Sequence, residues 1–188
     1  MGPLTSPVMS RTRPARDFCL IRHGETTANA AGIIAGVTDV PLTAQGRDQA
    51  RALAERPWPD DMAVYASPLN RALETARLAL PGRQVRLHPG LRERDWGVFE
   101  GRPLARQPDR EDTPDQGEPW ADMLRRVEAA ILGICAEHPD ALPVLICHSG
   151  VIRAARVLWT TGDTGTRPPN ATPLLFRTTG PDLTETPL

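Results

Sequence analysis

The amino-acid sequence predicts an α/β fold with a mostly parallel central sheet, on two observations. Residues 18–21 and 144–147 are short, continuously apolar runs, as are strands buried on both faces in the middle of a parallel sheet. Between these runs, apolar segments alternate with amphipathic stretches whose apolar residues recur every three or four positions. Strands that alternate with helices along the chain are typical of α/β domains.

Each predicted element has a local reason. Thr43 is a good N-cap for a helix that Pro57 ends, and Ser67 caps a second helix that opens with Pro68. A later helix carries a periodic apolar stripe, and the last one follows the second apolar run. The predicted helices are residues 44–56, 68–80, 119–137 and 149–159. The predicted strands are residues 18–21, 64–66, 85–87, 144–147 and, at an edge, 173–177.

The remaining segments show no periodicity. Residues 97–118 are charged and broken by glycine and proline, and long loops of this kind in compact domains tend to be lids or binding loops. Residues 1–16 and 180–188 are rich in Pro, Thr, Ser and Gly, so we expect a disordered leader and a flexible tail. Residues 17–179 remain as a single folded domain, which suits a chain of 188 residues.

Composition excludes several classes of protein. A net charge of −1 argues against a nucleic-acid binder, and no apolar run is long enough to cross a membrane. Residues 1–16 lack the apolar core of a secretory signal. Cys19, Cys135 and Cys147 form no CxxC motif and cannot all pair, which is usual for reduced thiols in the cytoplasm. Because every basic residue is arginine, no lysine can form a Schiff base or bind phosphate in a Walker loop.

A histidine follows each of the two most hydrophobic predicted strands. His23 comes after the strand at 18–21, and His148 comes directly after the strand at 144–147. In open α/β sheets, ligands bind beyond the carboxyl ends of the strands. Either histidine alone is most simply a loop residue, but the same position after two strands indicates a shared site.

Arginines accompany these histidines. Arg22 precedes His23, and Arg71 lies in the first turns of the helix after the second strand. The guanidinium group matches the oxygens of phosphate in a bidentate geometry, and helix N-termini also attract anions. Together these groups would form a pocket for a dianion. The alternative is that Arg71 pairs with Glu74 or Thr75 on a solvated helix face.

The surrounding residues form motifs in a fixed order. The first are Arg22-His23-Gly24-Glu25-Thr26, Asn29, Asp39-Val40-Pro41-Leu42-Thr43 and Gly46. Then follow Ser67-Pro68-Leu69-Asn70-Arg71-Ala72, Leu91-Arg92-Glu93-Arg94-Asp95-Trp96-Gly97, Phe99-Glu100-Gly101 and His148-Ser149-Gly150-Val151-Ile152-Arg153. In these motifs, over roughly residues 17–176, the sequence resembles the histidine phosphatase superfamily, the phosphoglycerate mutase-like proteins. A serine follows His148 where many relatives have glycine.

The resemblance implies a fold, a reaction and a set of residues. The fold is a three-layer α/β/α sandwich, and the protein is a phosphomonoesterase acting on a small phosphorylated metabolite through a phosphohistidine. No metal and no other cofactor is implied. His23 would be the nucleophile, and Glu93 would protonate the leaving oxygen and then help to activate water. The residues that would bind the phosphoryl group are Arg22, Asn29, Arg71, His148 and Ser149.

The chemistry of these residues is consistent with those roles. Neighbouring cations favour the neutral imidazole that His23 needs for attack. Glu93 must carry a proton to act as an acid, so we expect activity to be strongest at mildly acidic to neutral pH. We expect a cytoplasmic protein, a monomer or homodimer, whose partner is a small phosphomonoester rather than a nucleic acid or a membrane.

Two reactions fit the resemblance. Mutases of the family usually carry a longer excursion before the second histidine, which protects phosphohistidine from water. Residues 94–118 are a short, proline-broken segment here, so hydrolysis is favoured and a cofactor-dependent phosphoglycerate mutase is the alternative. Arg102, Arg106 and Arg110 recur every four residues and could reach a second anionic group, although such a row is more often a solvated face.

Single motifs also fit other functions. Cys147 and Arg153 fit the C-x5-R loop of cysteine-dependent phosphatases, and Trp58-Pro59-Asp60 resembles the acid loop of that family. A core position for Cys147 and a helix-anchoring role for Arg153 are the simpler interpretation.

A zinc site formed by His23, His148 and Glu93 is not supported, because these residues lack the HExxH-like spacing of zinc ligands. A non-catalytic phosphate-binding relative is disfavoured because the whole motif set is intact. His88 and His138 precede prolines at element ends and are interpreted as structural.

Overall fold

Six strands form the central sheet of the computed structural model, which describes residues 12–160, 162–179 and 182–188. In chain order they are β1 (Phe18–Arg22), β2 (Met62–Ala66), β3 (Val85–Leu87), β4 (Leu142–Cys147), β5 (Pro173–Arg177) and β6 (Thr184–Pro187). Their order across the sheet is β3-β2-β4-β1-β5-β6, and the first four in chain order run parallel. β5 alone runs in the direction opposite to the other five strands, so the prediction of a mostly parallel sheet is confirmed.

Five α-helices connect and cover the strands of the described chain. They are α1 (Thr27–Ala31), α2 (Ala44–Ala52), α3 (Asn70–Ala79), α4 (Trp120–Glu137) and α5 (Ser149–Trp159). Thr43 caps α2 as predicted, its hydroxyl accepting the Gly46 N–H at 2.9 Å, and the last predicted residues of that helix form a 3₁₀ turn instead. No helix in the described ranges is long and apolar enough to cross a membrane.

The two faces of the sheet carry separate hydrophobic cores. In β1, Phe18 and Leu20 point to the core formed with α4 and α5, whereas Cys19 and Ile21 point to the core formed with α3. This alternation follows from the two-residue period of a strand. All four side chains are fully buried, so β1 is covered on both faces and the three-layer α/β/α arrangement is confirmed.

The structure differs from the sequence prediction at the start of α3. The N-cap is Leu69, whose backbone is extended, and the helix begins at Asn70 rather than at Pro68. The prediction that Ser67 caps this helix is therefore wrong. The Ser67 hydroxyl bonds to a histidine instead, as described below. The short helix α1 was not predicted, although Thr26 and Asn29 form a capping box around its first turn.

Backbone hydrogen bonds continue the sheet past the ends of its strands. The N–H of His23 donates to the carbonyl of Cys147 at 3.0 Å, and the N–H of Ser67 donates to the carbonyl of Ile146 at 2.9 Å. The first residues of both loops are thereby fixed against the end of β4. Residues 97–118, by contrast, contain two 3₁₀ turns, Gly97–Phe99 and Leu104–Arg106, and no α-helix or strand.

Both predicted tails are partly structured. Residues 1–11 lie outside the described residues, but the Thr12 carbonyl accepts the indole N–H of Trp159 and Arg16 donates to the Ala141 carbonyl at 2.7 Å. In the predicted flexible tail over 180–188, residues 180 and 181 lie outside the described residues, and Thr184–Pro187 pairs with β5 as an edge strand that was not predicted. Short polar edge strands give little sequence signal, which is why the tail resembles a disordered one.

An ion pair ties β6 to the body of the protein. Both carboxylate oxygens of Glu185 bind the Arg156 guanidinium, at 2.6 and 2.7 Å. The pair is largely shielded from solvent, since the side chains are 12% and 18% exposed. Arg156 also donates to the carbonyls of Thr164 and Thr166, at 3.2 and 2.6 Å.

We expect Glu185→Ala to lower the free energy of unfolding by about 2 kcal/mol, because a shielded bidentate bond to a charged group is lost. Asp48→Ala is the matched control, since Asp48 pairs with Arg51 on an exposed helix face; it should cost less than about 0.5 kcal/mol. Urea denaturation of the three proteins provides the comparison. Equal losses in the two variants would show that the β6 ion pair contributes no more than a surface pair.

Candidate active site

His23 and His148 lie side by side at the carboxyl edge of the sheet. The strands that precede them, β1 and β4, are adjacent and parallel, so their following residues leave the sheet together. The two imidazole rings are 5.2 Å apart between centroids and are inclined at 60°. Both rings are buried, and His23 lines a cavity. The structure thus places the two histidines together, as the sequence predicted.

The hydrogen bonds of His23 determine its tautomer. Its Nδ1 atom lies 2.7 Å from the carbonyl oxygen of Gly24. Because a carbonyl can only accept, Nδ1 carries the hydrogen and Nε2 keeps a free lone pair. Gly24 is held by its N–H bond to Thr75 at 3.0 Å, and a side chain at Gly24 would collide with the backbone of Gly46. A rigid turn therefore holds the His23 ring in an orientation that leaves Nε2 free.

His148 is oriented by Ser67. The His148 Nε2 atom is 2.7 Å from the Ser67 hydroxyl oxygen, which also accepts the N–H of Leu69 at 3.3 Å. Since the N–H of Leu69 uses an acceptor position of the hydroxyl, the hydroxyl hydrogen can point at Nε2. When the hydroxyl is the donor, the hydrogen of the neutral His148 ring lies on Nδ1, a buried atom without a partner in the described parts of the chain.

Burial and nearby cations keep both imidazoles neutral. Burial lowers the pKa of His23 well below its ordinary value of 6.5, and the charges of Arg71 and Arg22 lower it further. Burial likewise lowers the pKa of His148, again followed by the charge of Arg71. Both rings are therefore uncharged at neutral pH, as a nucleophile and a neutral hydrogen-bond donor require.

Arg22 faces the cavity next to His23. One Nη atom donates to the carbonyl of Pro168 at 2.9 Å, while Nε is buried and has no partner within the described residues. Burial and the charge of Arg167 lower the pKa of Arg22 to about 10, so the group remains charged at neutral pH. An unpaired buried N–H of a charged group is a strong donor for a bound anion.

Arg71 is buried and bonds to backbone carbonyls. Its guanidinium donates to the carbonyl of Thr38 at 2.9 Å and to that of Gly36 at 2.6 Å. The alternative in which Arg71 pairs with Glu74 or Thr75 on a solvated face is wrong, because Arg71 is buried and Glu74 is bound by Arg47 at 2.6 Å. The charge of Arg71 has the largest charge effect on the pKa of both histidines.

Glu100 fixes residues 36–38, the loop that Arg71 binds, from the other side. The Glu100 carboxylate accepts the backbone N–H groups of Gly36, Val37 and Thr38 at 3.0–3.2 Å, and that of Trp96 at 3.1 Å. Residues 36–38 therefore lie between a guanidinium that binds their carbonyls and a carboxylate that binds their amides. A side chain on Gly36 would collide with the Arg94 backbone, which explains why glycine occupies this close approach.

The Glu93 carboxylate lies at the start of α5. Its two oxygens accept the N–H of Arg94 at 2.8 Å and the N–H of Gly150 at 3.0 Å. Any side chain at position 150 would overlap with the carboxylate. These bonds hold Glu93 in the wall of the cavity that also contains His23.

Asn29 and Ser149 complete the predicted set. The Asn29 side-chain oxygen accepts the N–H of Thr26 at 3.2 Å and an amide N–H of Asn170 at 3.1 Å. Its oxygen is thus used by the protein, and its NH₂ group is the part that can donate to a ligand. Asn170 also bonds to the His23 carbonyl at 2.8 Å. Ser149 lines the cavity at the first residue of α5.

One cavity of about 180 Å³ contains most of these groups. Five of the seven predicted residues line it, and Arg71 and His148 lie behind its wall. Three further arginines line the cavity, Arg110, Arg153 and Arg167, together with Trp96 and Gln107. Four arginines and one carboxylate give the lining an excess of positive charge. Such a cavity is suited to a phosphate dianion.

Several residues of the site were not predicted from the sequence. Ser67 was interpreted as a helix cap, although its position after β2 at the same sheet edge as the histidines was a usable signal. Of the arginine row, Arg110 faces the cavity, whereas Arg102 and Arg106 are exposed elsewhere. Arg167 and Asn170 lie in a segment that has no motif, so nothing in the sequence marked them.

The cysteine mechanism does not fit the structure. Cys147 is fully buried in the core beside α4 and α5, and burial raises the pKa of its thiol. Asp60 precedes β2, at the opposite end of the strands from the histidines.

The residues described include no group of three side chains placed to hold a metal ion. His88 accepts the N–H of Gly90 and His138 bonds to Tyr65, as expected of structural residues.

Comparisons with known proteins agree with this architecture. The sequence model of the histidine phosphatase superfamily (branch 1) matches residues 18–171. A protein named probable phosphoglycerate mutase GpmB, from Enterobacter sp. (strain 638), is 38% identical over 69% of this chain and 67% of its own length. A protein named adenosylcobalamin/alpha-ribazole phosphatase, from Salmonella typhimurium, is 37% identical over 71% of this chain and 74% of its own.

A solved structure extends the similarity to nearly the whole chain. The crystal structure of TTHB049 from Thermus thermophilus superposes with a TM-score of 0.74 and 34% identity, covering 92% of this chain and 99% of the other. The family match, the relatives and the shared fold agree with one another. The chain belongs to the histidine phosphatase superfamily.

Proposed function

We propose that this protein is a metal-independent phosphatase that hydrolyses small phosphomonoesters through a phosphohistidine on His23. The observation that carries the proposal is the pairing of two neutral imidazoles beside an arginine-lined cavity. His23 offers a free Nε2 lone pair, and His148 holds an unpartnered Nδ1 donor next to it, among the residues described. Relatives from Salmonella typhimurium and Arabidopsis thaliana are named as phosphatases, which supports hydrolysis.

In the first half of the reaction, Nε2 of His23 attacks phosphorus and the bond to the ester oxygen breaks. Arg22 and His148 Nδ1 donate to the phosphoryl oxygens, where charge accumulates in the transition state. Glu93 gives its proton to the leaving oxygen. A carboxyl oxygen has two lone-pair positions, so Glu93 can hold this proton while it still accepts a backbone N–H.

In the second half, water replaces the departed alcohol. The Glu93 carboxylate takes a proton from the water, the water oxygen bonds to phosphorus, and the P–N bond breaks with its electron pair returning to Nε2. Inorganic phosphate leaves, and Glu93 is protonated again for the next cycle. The arginines and the His148 donor keep their contacts throughout, so the protein need not reorganise between the two steps.

Hydrolysis is proposed over phosphoryl transfer between substrates because water can reach the site. The cavity continues outwards between Trp96 and Arg153 into a second space that is lined partly by exposed residues, including Asp109 and Glu111. A mutase must keep water from its phosphohistidine.

With 3-phosphoglycerate we expect release of inorganic phosphate; formation of 2-phosphoglycerate without phosphate release would support the mutase instead.

The nucleophile can be identified by trapping. Rapid quench with labelled p-nitrophenyl phosphate should give a protein adduct that is labile in acid, as a phosphohistidine is. His23→Ala should abolish this adduct and lower kcat by at least about 10³-fold, whereas Cys147→Ala should retain both adduct and turnover. An adduct that disappears in Cys147→Ala and persists in His23→Ala would overturn the assignment.

Ser67→Ala tests the orientation of His148. Without the hydroxyl, the His148 hydrogen is no longer fixed on Nδ1, and one donor to the phosphoryl group is weakened. We expect kcat to fall roughly 10²-fold. Because Ser67 acts only through the His148 ring, the double variant with His148→Gln should be no slower than His148→Gln alone. Losses that multiply in the double variant would contradict this coupling.

The lowered histidine pKa values predict a pH dependence. His23 and His148 lose their protons more readily in the folded protein than in the unfolded one, so both should remain neutral when the pH falls to 6.5. NMR of the imidazole resonances should show no titration of these two rings near pH 6.5, and kcat should stay level through that pH. A midpoint at 6.5 for His23, or a rate still rising beyond roughly pH 9, would contradict the assigned roles.

A further inference from the structure

We infer that the cavity holds a second anion-binding subsite, formed by Arg110 and Arg153, which selects phosphomonoesters carrying a carboxylate or a second phosphate. The inference rests on the proposed phosphatase function and names the substrate class for it. The inner chamber next to His23 and the outer chamber share Trp96, Leu104, Gln107, Arg110 and Arg153. Both arginines therefore stand at the junction, beyond the residues that would receive the reacting phosphate.

The buried donors in this region are incompletely used. Within residues 12–160, 162–179 and 182–188, four buried side-chain nitrogens have no hydrogen-bond partner in the protein, and all four surround this site. Arg22 Nε and His148 Nδ1 belong to the phosphoryl end. Arg110 Nη1 and Arg153 Nε belong to the junction of the chambers. A buried charged donor left unpaired costs free energy, which a bound anion would recover.

Arg110 is held in place by neighbouring side chains. Its guanidinium lies 5.2 Å from the ring centre of Trp120 and 5.8 Å from that of Trp96. Arg94, which is fully buried, donates to the Arg110 carbonyl at 2.9 Å and to the Asp112 carbonyl at 2.7 Å. A side chain fixed on two aromatic faces loses little entropy when it binds a ligand.

The lining of the cavity carries more positive charge than one bound phosphate dianion neutralises. Burial and the charges of Arg110 and Arg167 lower the pKa of Arg153 to about 10. Bound phosphate alone leaves positive charge over, because four arginines and one carboxylate line the inner chamber. Asp109 and Glu111 also line the outer chamber, but they are exposed to solvent. The anion would therefore lie on the side of Arg110 and Arg153, which are both partly buried.

The test compares ligands that differ in one charge and cannot be hydrolysed. Calorimetry on the full chain would measure Kd for 4-(phosphonomethyl)benzoate against its neutral amide, and for 3-phosphonopropionate against its amide, to cover two spacer lengths. Benzene-1,4-bis(methylenephosphonate) replaces the carboxylate by a second phosphonate. We expect the charged member to bind at least tenfold more tightly for one spacer or both. The carboxylate and phosphonate arms show which anion the subsite prefers.

Variants assign the preference to the subsite. Arg153→Gln and Arg110→Gln should each bring the charged-to-neutral ratio close to one. Arg106→Gln is the matched control, because Arg106 is an exposed arginine of the same loop, outside both chambers; it should keep the wild-type ratio. Equal affinity for charged and neutral ligands of both spacers in the wild type would overturn the subsite, as would a ratio that survives both arginine variants.

The same ligands separate this inference from the proposed function. Phosphonates carry a P–C bond, so their binding ratios do not depend on turnover. A wild-type protein that shows the charge preference but hydrolyses no phosphomonoester would refute the phosphatase and retain the subsite. The subsite would be refuted and the phosphatase retained by a different result. In that result the protein hydrolyses 4-carboxyphenyl phosphate and 4-carbamoylphenyl phosphate with equal kcat/KM, and it binds each charged phosphonate and its neutral amide with equal Kd.

Discussion

The carboxyl end of β4 is the constraint on which the rest of the site depends. Its last carbonyls, those of Ile146 and Cys147, accept the N–H groups of Ser67 and His23 from the strands on either side. The chain then turns into α5 through His148. Three loops from distant parts of the sequence are thus aligned by backbone hydrogen bonds. Side chains that are placed in this way are held more rigidly than those on free loops, and phosphoryl transfer depends mainly on positioning.

The charges at the site act against the stability that the backbone hydrogen bonds provide. Neutral imidazoles are maintained beside several guanidinium groups, whose mutual repulsion and burial destabilise the folded protein when no anion is bound. The surrounding structure compensates with bonds that fix the loops: Arg71 binds the carbonyls of residues 36–38, and Glu100 binds their amides. The unpaired guanidinium groups thus lower the stability of the free protein, a cost that a bound anion would offset.

Much of this could be predicted from the sequence, and the failures have physical reasons. Two apolar strands that end in histidine mark one sheet edge, because parallel strands share that edge. Ser67 was misassigned because its hydroxyl has equal capacity to cap a helix or to bond an imidazole, and only tertiary contacts decide between the two. Arg110 and Arg167 reach the cavity from irregular segments whose path no periodicity describes. The strand at 184–187 is polar and short, so its pairing with β5 depends on the sheet that is already present.

Arg156 connects regions that are far apart in the chain. From α5 it binds the carboxylate of Glu185 in the final strand and the carbonyls of Thr164 and Thr166, directly before the cavity residue Arg167. The terminal strand of the sheet is consequently coupled to the rim of the cleft through one guanidinium. A change at Glu185 can therefore displace the segment that leads to Arg167, although Glu185 does not line the cavity.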